Sequence, residues 1–249
     1  MMKSIRLSII AVIATIATAA CVQSPQHIPD IVQAHKDRAS FTKLNDGTAQ
    51  LLPLFNGQDL TGWYTYTKAH GKNNDLDGSF AVADGILHFD GENMGYLCTN
   101  DTYRNYYLRV VFRWGDKKYP PREDDPRDSG VLYHFPDTAA DDLWPLSIEC
   151  QVQENDCGDY YAVGGSTLES PNADAEGKAY RVVRTANFEN PLPEWNTIEI
   201  ICLDDKSEHY VNGQKVNEAY NLSVSEGKIL LQLEAAEIFY KSIELLPLR

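Results

Sequence analysis

The sequence lacks a hydrophobic run that could cross a membrane permanently. Its longest uncharged apolar stretch, residues 7–17, is shorter than the roughly 20 residues that a spanning helix requires. Basic residues are scarce, with 22 Lys and Arg against 36 Asp and Glu, and the net charge of −14 argues against a nucleic-acid partner. No Cys-x-x-Cys pair is present, which argues against a zinc site. Helical periodicity is nearly absent as well, so the sequence excludes a mainly helical fold.

Residues 1–20 have the pattern of a signal peptide, in which Lys3 and Arg6 precede the apolar stretch. Small residues then lead to Cys21, an arrangement typical of a bacterial lipobox, although Thr18 stands where leucine is usual. We therefore expect lipidation of Cys21 and a lipoprotein of the cell envelope, outer-membrane or periplasmic. Ordinary signal cleavage after Ala19 is the alternative. Loss of this segment removes two basic residues and changes the net charge from −14 to −16.

Residues 21–50 are expected to form a tether and N-terminal segment, and residues 51–249 a single domain. Short runs of alternating apolar and polar residues fill that domain, and the dipeptides Asp84-Gly85 and Asn212-Gly213 are hairpin-turn signals between them. This pattern predicts an all-β fold, a two-sheet antiparallel β-sandwich. The residues predicted for its core are Leu108, Val110, Phe112, Val131, Ile148, Val152, Ile198, Ile200 and Leu231.

The run from Ser147 to Glu154 has one apolar and one polar face. The residues Ile148, Cys150 and Val152 alternate with Glu149, Gln151 and Gln153. A carboxylate and two amides in one row can hold sugar hydroxyls, whereas a solvated outer face is the structural alternative. Acids and aromatics, among them Tyr160, crowd the next segment, and Trp144 lies just upstream. Because aromatic rings stack on the C–H faces of sugars, these neighbours favour sugar binding.

A second candidate is His134, in the run from Arg127 to Phe135. Strict alternation places His134 on the same face as Leu132, opposite Val131, Tyr133 and Phe135. If the two runs are neighbouring strands, His134 approaches Glu149 or Gln151, where it could act as a general base near neutral pH. A structural role is the alternative. The polar loop from His70 to Asp75, which contains Lys72, is by composition an ordinary surface turn.

Together these segments resemble the 3-keto-disaccharide hydrolase family. The resemblance covers essentially residues 51–249. It rests on seven segments in the family's order, Leu54–Trp63, Val82–Leu87, Asp128–Val131, Ile148–Gln151, Glu194–Asn196, Val211–Gly213 and Ile229–Leu233. None of these segments is specific to the family by itself, but the occurrence of all seven in the family's order is.

The resemblance implies a concanavalin-like jelly roll with its site on the concave face of one sheet. Glu149 and Gln151 belong to the family's Glu-x-Gln strand on that face. The usual Asn-Ser-Gly is Asp128-Ser129-Gly130 here, and His134 stands where arginine is common. These differences resemble a subgroup in which an Arg-Asp-Ser-Gly strand accompanies a Gly-Lys-x-Asn-Asp loop.

That subgroup pattern adds Lys72 and Arg127 to the candidate site. From the residues and the resemblance together, the candidate substrate contacts are Lys72, Arg127, Asp128, Trp144, Gln151, Gln153 and Tyr160. A histidine that some members carry near the C-terminus is absent, because Gln232-Leu233-Glu234-Ala235 stands there. His134 is therefore the predicted catalytic base, with Glu149 as the second choice.

The family is similar to enzymes that cleave glycosides already oxidised to a ketone at C3. The ketone acidifies the C2 hydrogen, so a base can form an enolate that expels the C1 substituent, and addition of water then completes a net hydrolysis. Such a site needs a base, an enolate stabiliser and help for the leaving group. The sequence requires no cofactor but admits a divalent cation held by Asp128, Glu149 and Glu154. Lys72 and Arg127 are the other candidates for holding the enolate.

The expected partner is thus an oxidised sugar or glycoside, with a sugar 3-dehydrogenase as the functional partner that supplies it. Two other functions compete with this interpretation. A non-catalytic carbohydrate-binding module on the same fold needs stacking aromatics but no base. A conventional two-carboxylate glycosidase needs a carboxyl pair at a defined separation, which the sequence does not give.

Overall fold

The structure, a computed structural model, describes residues 51–174, 177 and 179–248. Strands, turns and loops make up these ranges, without a helix. None of the described segments is a helix long and apolar enough to cross a bilayer. The predicted signal peptide, the lipidation site Cys21 and the tether over residues 21–50 lie outside the described residues.

Two antiparallel sheets of eight strands each enclose a common core, which confirms the predicted all-β sandwich. Sheet A consists of β1 (Leu52–Pro53), β4 (Phe80–Ala83), β5 (Ile86–Phe89), β7 (Tyr106–Lys118), β12 (Asn196–Leu203), β13 (Lys206–Val211), β14 (Gln214–Ala219) and β16 (Ala236–Pro247). Sheet B consists of β2 (Trp63–Thr67), β3 (Gly71–Lys72), β6 (Met94–Thr99), β8 (Gly130–Phe135), β9 (Ser147–Gln151), β10 (Tyr160–Val163), β11 (Arg181–Val182) and β15 (Lys228–Glu234).

The strand order brings distant parts of the chain side by side. Sheet A runs β14-β13-β12-β7-β16-β5-β4, with β1 paired to β16, and sheet B runs β11-β10-β9-β8-β15-β6-β2-β3. The middle of sheet B therefore joins β8 and β9 to β15 from near the C-terminus. This arrangement places residues around positions 130, 150 and 232 on adjacent strands.

Both dipeptides predicted as hairpin turns connect adjacent strands. Asp84 and Gly85 join β4 to β5 with φ values of 52° and 77°. Asn212 and Gly213 join β13 to β14 with φ values of 48° and 81°. A two-residue turn between twisted strands requires positive φ at both positions, and asparagine, aspartate and glycine accept it most readily.

The core fills the space between the sheets. All nine residues predicted for it are buried, none more than 1% exposed. The four cysteines of the described chain, Cys98, Cys150, Cys157 and Cys202, are buried as free thiols. The sandwich is therefore held together by apolar packing across the two inner faces.

One polar network lies inside this core. The Tyr133 hydroxyl is 2.8 Å from Ser207 Oγ and 3.0 Å from His209 Nε2, and the Tyr160 hydroxyl is 2.9 Å from the same Ser207 oxygen. His209 Nδ1 donates to the Gly158 carbonyl at 3.1 Å, so the neutral ring accepts at Nε2. Burial lowers the pKa of His209 to about 3, because a charged ring would lose its hydration there.

Acid should weaken the fold through His209. An unfolded histidine has a pKa of about 6.5, so below that pH the unfolded chain binds a proton that folded His209 takes up only near pH 3. The stabilisation is complete above pH 6.5 and is lost as the pH falls, by about 1.4 kcal/mol per pH unit. In urea unfolding, the parent should lose about 2 kcal/mol more than His209→Gln between pH 7 and pH 5. Equal losses in both proteins would contradict this.

Candidate active site

The outer face of sheet B, which points away from the core, carries polar side chains on neighbouring strands. Glu149 and Gln151 lie on β9, and Gln232 and Glu234 lie on β15, with β8 between them. The intervening residues of both strands belong to the core, which confirms the polar face predicted for Glu149 and Gln151. All four side chains are nearly closed to solvent, at 5–8% exposure.

Three acidic residues and one arginine form a cluster on this face. Asp128, just before β8, forms a β-bridge with Glu234. Arg122 Nη1 lies 2.6 Å from Asp128 Oδ2 and 2.5 Å from Glu234 Oε1. Glu149 lies near enough for the charges of both acids to act on it, and no cation of the described chain pairs with it. We call Asp128, Glu149, Glu234 and Arg122 the carboxyl cluster.

Two carboxyls of the carboxyl cluster have raised pKa values. Burial raises the pKa of Asp128 to about 7, and the charge of Glu234 adds to the rise while Arg122 opposes it. Burial raises the pKa of Glu149 well above its ordinary range, and the charges of Asp128 and Glu234 raise it further. These shifts favour the protonated form of Glu149, whereas the pKa of Asp128 allows both of its forms near neutral pH. Two carboxyls whose pKa values are pushed apart are typical of acid–base catalysis.

Two atoms beside the carboxyl cluster have unmet hydrogen-bonding capacity. Asp128 Oδ1 and Gln232 Oε1 are buried, and within the described ranges neither has a hydrogen-bond partner. Buried acceptors are nearly always paired in native proteins, by protein groups or ordered water, so these two atoms can each accept a further hydrogen bond. Gly130 leaves room for the Glu149 carboxyl and for Gln232, since a Cβ there would collide with Glu149 Oε1 and lie 3.1 Å from Gln232 Oε1.

His134 does not lie on this face, and the prediction that it shares a face with Leu132 is wrong. Its φ of 59° is left-handed, and the pairing of β8 with β15 shifts register nearby. This bulge interrupts the two-residue alternation. Phe135, rather than His134, joins Leu132 in the apolar cluster on the outer side of sheet B.

The surroundings of His134 are those of a structural histidine. The residue is 0% exposed, its ring meets the Tyr106 ring edge-on at 5.8 Å, and Nδ1 donates to the Val224 carbonyl at 3.2 Å. Burial lowers its pKa to about 4. A general base must come within hydrogen-bond reach of the proton that it removes. His134 is therefore not placed to act as the predicted base on the outer face.

Tyr160 does not lie on the outer face either. It is 0% exposed and belongs to the core, so its prediction as a sugar contact is wrong. The strand β9 ends at Gln151, and a loop over residues 152–159 leads into β10, so the phase of the alternation does not carry over. Tyr161 takes the outer position instead, directly opposite Glu149 in the pairing of β10 with β9.

Lys72 lies at the far edge of sheet B. Three strand spacings separate β3 from β15, the nearest strand of the carboxyl cluster, roughly 14 Å at about 4.8 Å per strand. Lys72 Nζ is 2.9 Å from Asp141 Oδ2 and 3.7 Å from the centroid of the Tyr64 ring. The structure thus does not bring Lys72 to the carboxyl cluster.

Trp144 is 48% exposed on the loop between β8 and β9.

Arg127 and Glu154 pair with each other. Arg127 Nη1 lies 3.2 Å from Glu154 Oε2, and its Nε donates to the Gly115 carbonyl of β7 at 2.9 Å. Arg127 therefore ties the start of β8 to sheet A. Gln153, by contrast, reaches the carboxyl cluster, since its Oε1 accepts from Arg122 Nη2 at 3.0 Å.

The predicted cation ligands do not assemble. Within the described residues no group of three His, Cys, Asp or Glu side chains could hold a metal ion. Arg127 engages Glu154, and the Arg122 guanidinium stands between Asp128 and Glu234, where a cation between these acids would bind. The donor set as arranged therefore does not fit a divalent cation.

Sequence patterns did not identify three residues of this face. Gln232 and Glu234 carried a signal, because they alternate with apolar residues in a predicted strand. Arg122 carried none. It lies in the loop between β7 and β8, and only the folded chain shows which acids it meets.

A family model for the 3-keto-alpha-glucoside-1,2-lyase-like domain matches residues 51–246. Among solved structures, two Parabacteroides distasonis ATCC 8503 proteins assigned to the glycosyl hydrolases are similar, both with TM-score 0.55. The first is 19% identical, and the match covers 79% of this chain and 93% of the Parabacteroides chain. The second is 21% identical, and the match covers 80% of this chain and 100% of the Parabacteroides chain. A Bacillus licheniformis β-glucanase has a TM-score of 0.51 at 12% identity, and the match covers 81% of this chain and 100% of the glucanase chain.

These likenesses concern the fold, and they confirm the predicted concanavalin-like jelly roll. No curated protein sequence matches the chain at a significant level.

Proposed function

The chain belongs to the family of 3-keto-alpha-glucoside-1,2-lyase-like domains, and on that premise we propose that the outer face of sheet B cleaves 3-keto-glycosides. Family and fold make it a carbohydrate-active, glycosyl hydrolase-like domain. The observation that carries the finer proposal is the carboxyl cluster. It offers one group poised to accept a proton and one poised to donate it, beside atoms that lack partners.

Asp128 is the base in this scheme. Arg122 holds its Oδ2, and its Oδ1 has no partner among the described residues, so Oδ1 is the atom that takes the C2 proton. The electron pair of the broken C–H bond forms the C2–C3 double bond, and the ketone oxygen becomes an enolate. Arg122 stabilises this negative charge.

Glu149 is the acid. As the enolate returns to a ketone, a C1–C2 double bond forms and the bond from C1 to the leaving oxygen breaks. Glu149 gives its proton to that oxygen, so Asp128 ends protonated and Glu149 ionised. Proton exchange through solvent restores the starting state, and addition of water to the unsaturated ketosugar completes a net hydrolysis. Gln151 and Gln232 supply amides for the sugar hydroxyls.

The low exposure of the carboxyl cluster sets a condition on this scheme. Asp128 is only 5% exposed and Glu149 only 6%, so the surrounding chain must move to admit a sugar. The same low exposure raises the two pKa values, because water that would stabilise the charged forms is excluded.

Incubation with 4-nitrophenyl 3-keto-glucoside tests the proposal. We expect release of nitrophenol and formation of an unsaturated ketosugar, followed by absorbance and mass spectrometry. EDTA should not change the rate, because Arg122 rather than a metal ion neutralises the acids. A protein that binds the keto-sugar but leaves it intact would instead be a carbohydrate-binding module.

Gly130→Ala should abolish most activity while the domain stays folded. The added Cβ would displace the Glu149 carboxyl and crowd Gln232, so the acid would lose its position. A displacement of about 1 Å in a catalytic group can cost about 100-fold in rate. The measurement is kcat on the nitrophenyl substrate, with circular dichroism to verify folding.

Gly115→Ala is the matched control. Its Cβ would also meet a glutamate carboxyl, that of Glu237, but on sheet A. It should cost stability in the same way and leave kcat within a few-fold of the parent. Equal activity in both variants would show that the position of Glu149 is not critical.

A further inference from the structure

Two tyrosines form an aromatic corner beside Glu149. Tyr161 of β10 lies directly opposite Glu149 on β9, and side chains paired in this way stand about 5 Å apart at Cβ. The Tyr180 ring lies 5.6 Å from the Tyr161 ring at an angle of 84°. Tyr180 is 71% exposed, so much of its ring is accessible to a ligand. We call Tyr161 and Tyr180 the tyrosine corner.

An anchored arginine packs against Tyr161, and a backbone hydrogen bond fixes Tyr180. Arg181 pairs with Tyr161 across β10 and β11, and its guanidinium lies 5.4 Å from the Tyr161 ring centroid. Asp159, which is 0% exposed, accepts from Arg181 Nε at 3.0 Å and from Nη2 at 2.6 Å. The Tyr180 carbonyl accepts from the Ala162 amide at 2.8 Å. A preorganised aromatic surface binds a ring without a large loss of side-chain entropy.

The strand order places the tyrosine corner on the side of Glu149 that faces away from Asp128. From one edge inward the outer face presents Arg181 and Tyr161, then Glu149, then Asp128 and Glu234. In the proposed reaction Asp128 acts at C2 of the keto-sugar, while Glu149 protonates the leaving oxygen on C1. The keto-sugar ring therefore lies towards β15, and the leaving group extends over β9 towards β10 and β11.

We propose that the tyrosine corner is the subsite for the leaving group, and that it selects 3-keto-glycosides whose leaving group carries a ring. This inference rests on the proposed function, which decides that the leaving group lies towards β10 and β11 and the keto-sugar towards β15. A ring stacks on one tyrosine and meets the other edge-on, the arrangement that aromatic contacts favour. A methyl leaving group gains nothing there.

Binding measured without turnover tests the subsite. In the full chain carrying Glu149→Gln, phenyl 3-keto-glucoside should bind more tightly than methyl 3-keto-glucoside. Adding Tyr180→Ala should weaken the phenyl compound by roughly 2- to 12-fold, the range of a typical aromatic contact. It should leave the methyl compound unchanged. Tyr180→Phe should keep the preference, and so should Tyr220→Ala, which removes a 38% exposed tyrosine that follows β14 of sheet A.

A 3-keto-disaccharide distinguishes the two kinds of ring. Weakening of both phenyl and disaccharide ligands by Tyr180→Ala assigns the tyrosine corner to rings in general, and weakening of the phenyl compound alone assigns it to aromatic leaving groups. A preference that survives Tyr180→Ala overturns the subsite even if the parent cleaves its substrate. A parent without turnover whose Tyr180-dependent preference persists overturns the proposed reaction and leaves the subsite in place.

Discussion

Asp128→Asn should cleave 4-nitrophenyl 3-keto-glucoside at least about 100-fold more slowly than the parent, the lower end of what a general base contributes. The amide keeps the size of the side chain but cannot take the C2 proton at Oδ1. Arg122 retains its contact with Glu234, so the face should stay folded. Steady-state kcat is the measurement, with substrate affinity followed separately by titration.

The pH profile gives this variant a second signature. The pKa of Asp128 is about 7 and the base must be ionised, so the parent rate should rise as the pH increases through that value. It should fall again where Glu149, with its strongly raised pKa, loses its proton. The rise near pH 7 should be missing in the residual activity of Asp128→Asn. A variant as fast as the parent would remove Asp128 from the reaction.

Glu199→Gln is the control for a buried carboxyl as such. Glu199 lies on β12 of sheet A, is 3% exposed and accepts a hydrogen bond from the Tyr107 hydroxyl at 2.5 Å. Burial raises its pKa as well. Its replacement should change stability and leave kcat within a few-fold of the parent, because sheet A carries no part of the proposed reaction.

Ile148→Asp should unfold the domain. Ile148 is 0% exposed, pairs with Tyr133 across β9 and β8, and belongs to the core between the sheets. An unpaired charge there costs several kcal/mol, comparable to the total stability of about 5–15 kcal/mol that most domains have. Loss of the β-sheet signal in circular dichroism at 25 °C is the expected result.

The same charge placed at an exposed apolar residue is the comparison. Leu76 is 71% exposed, and Leu76→Asp should change the free energy of unfolding by no more than about 0.5 kcal/mol. If Ile148→Asp remained as stable as Leu76→Asp, the assignment of the inner face of β9 would be wrong.

The fold could be predicted because its signals are local. The two-residue alternation at Ile148, Glu149 and Gln151 fixes which side chains enter the core, and the turns at Asp84-Gly85 and Asn212-Gly213 set where strands reverse. The candidate face could be predicted in part for the same reason. Glu149 and Gln151 lie on the same short strand, and the alternation is regular over its whole length.

The rest depended on features that alternation does not encode. A positive φ at His134 turned that residue away from the outer face, and the strand after the loop over residues 152–159 places Tyr160 in the core and Tyr161 on the outer face. Such irregularities depend on the packing of neighbouring strands. Arg122 reaches Asp128 and Glu234 from a loop, a contact created only by tertiary folding.

The fate of the hydrogen at C2 tests the central claim most directly. A 3-keto-glucoside with deuterium at C2 should be incubated with the protein in ordinary water, with a protein-free sample to correct for spontaneous exchange. Removal of the C2 hydrogen by Asp128 predicts that the sugar product has lost its deuterium, and slower cleavage than for the unlabelled compound is expected if this step limits the rate. Cleavage that keeps the deuterium at C2 would contradict the account and favour a two-carboxylate glycosidase, which breaks the C1 bond directly.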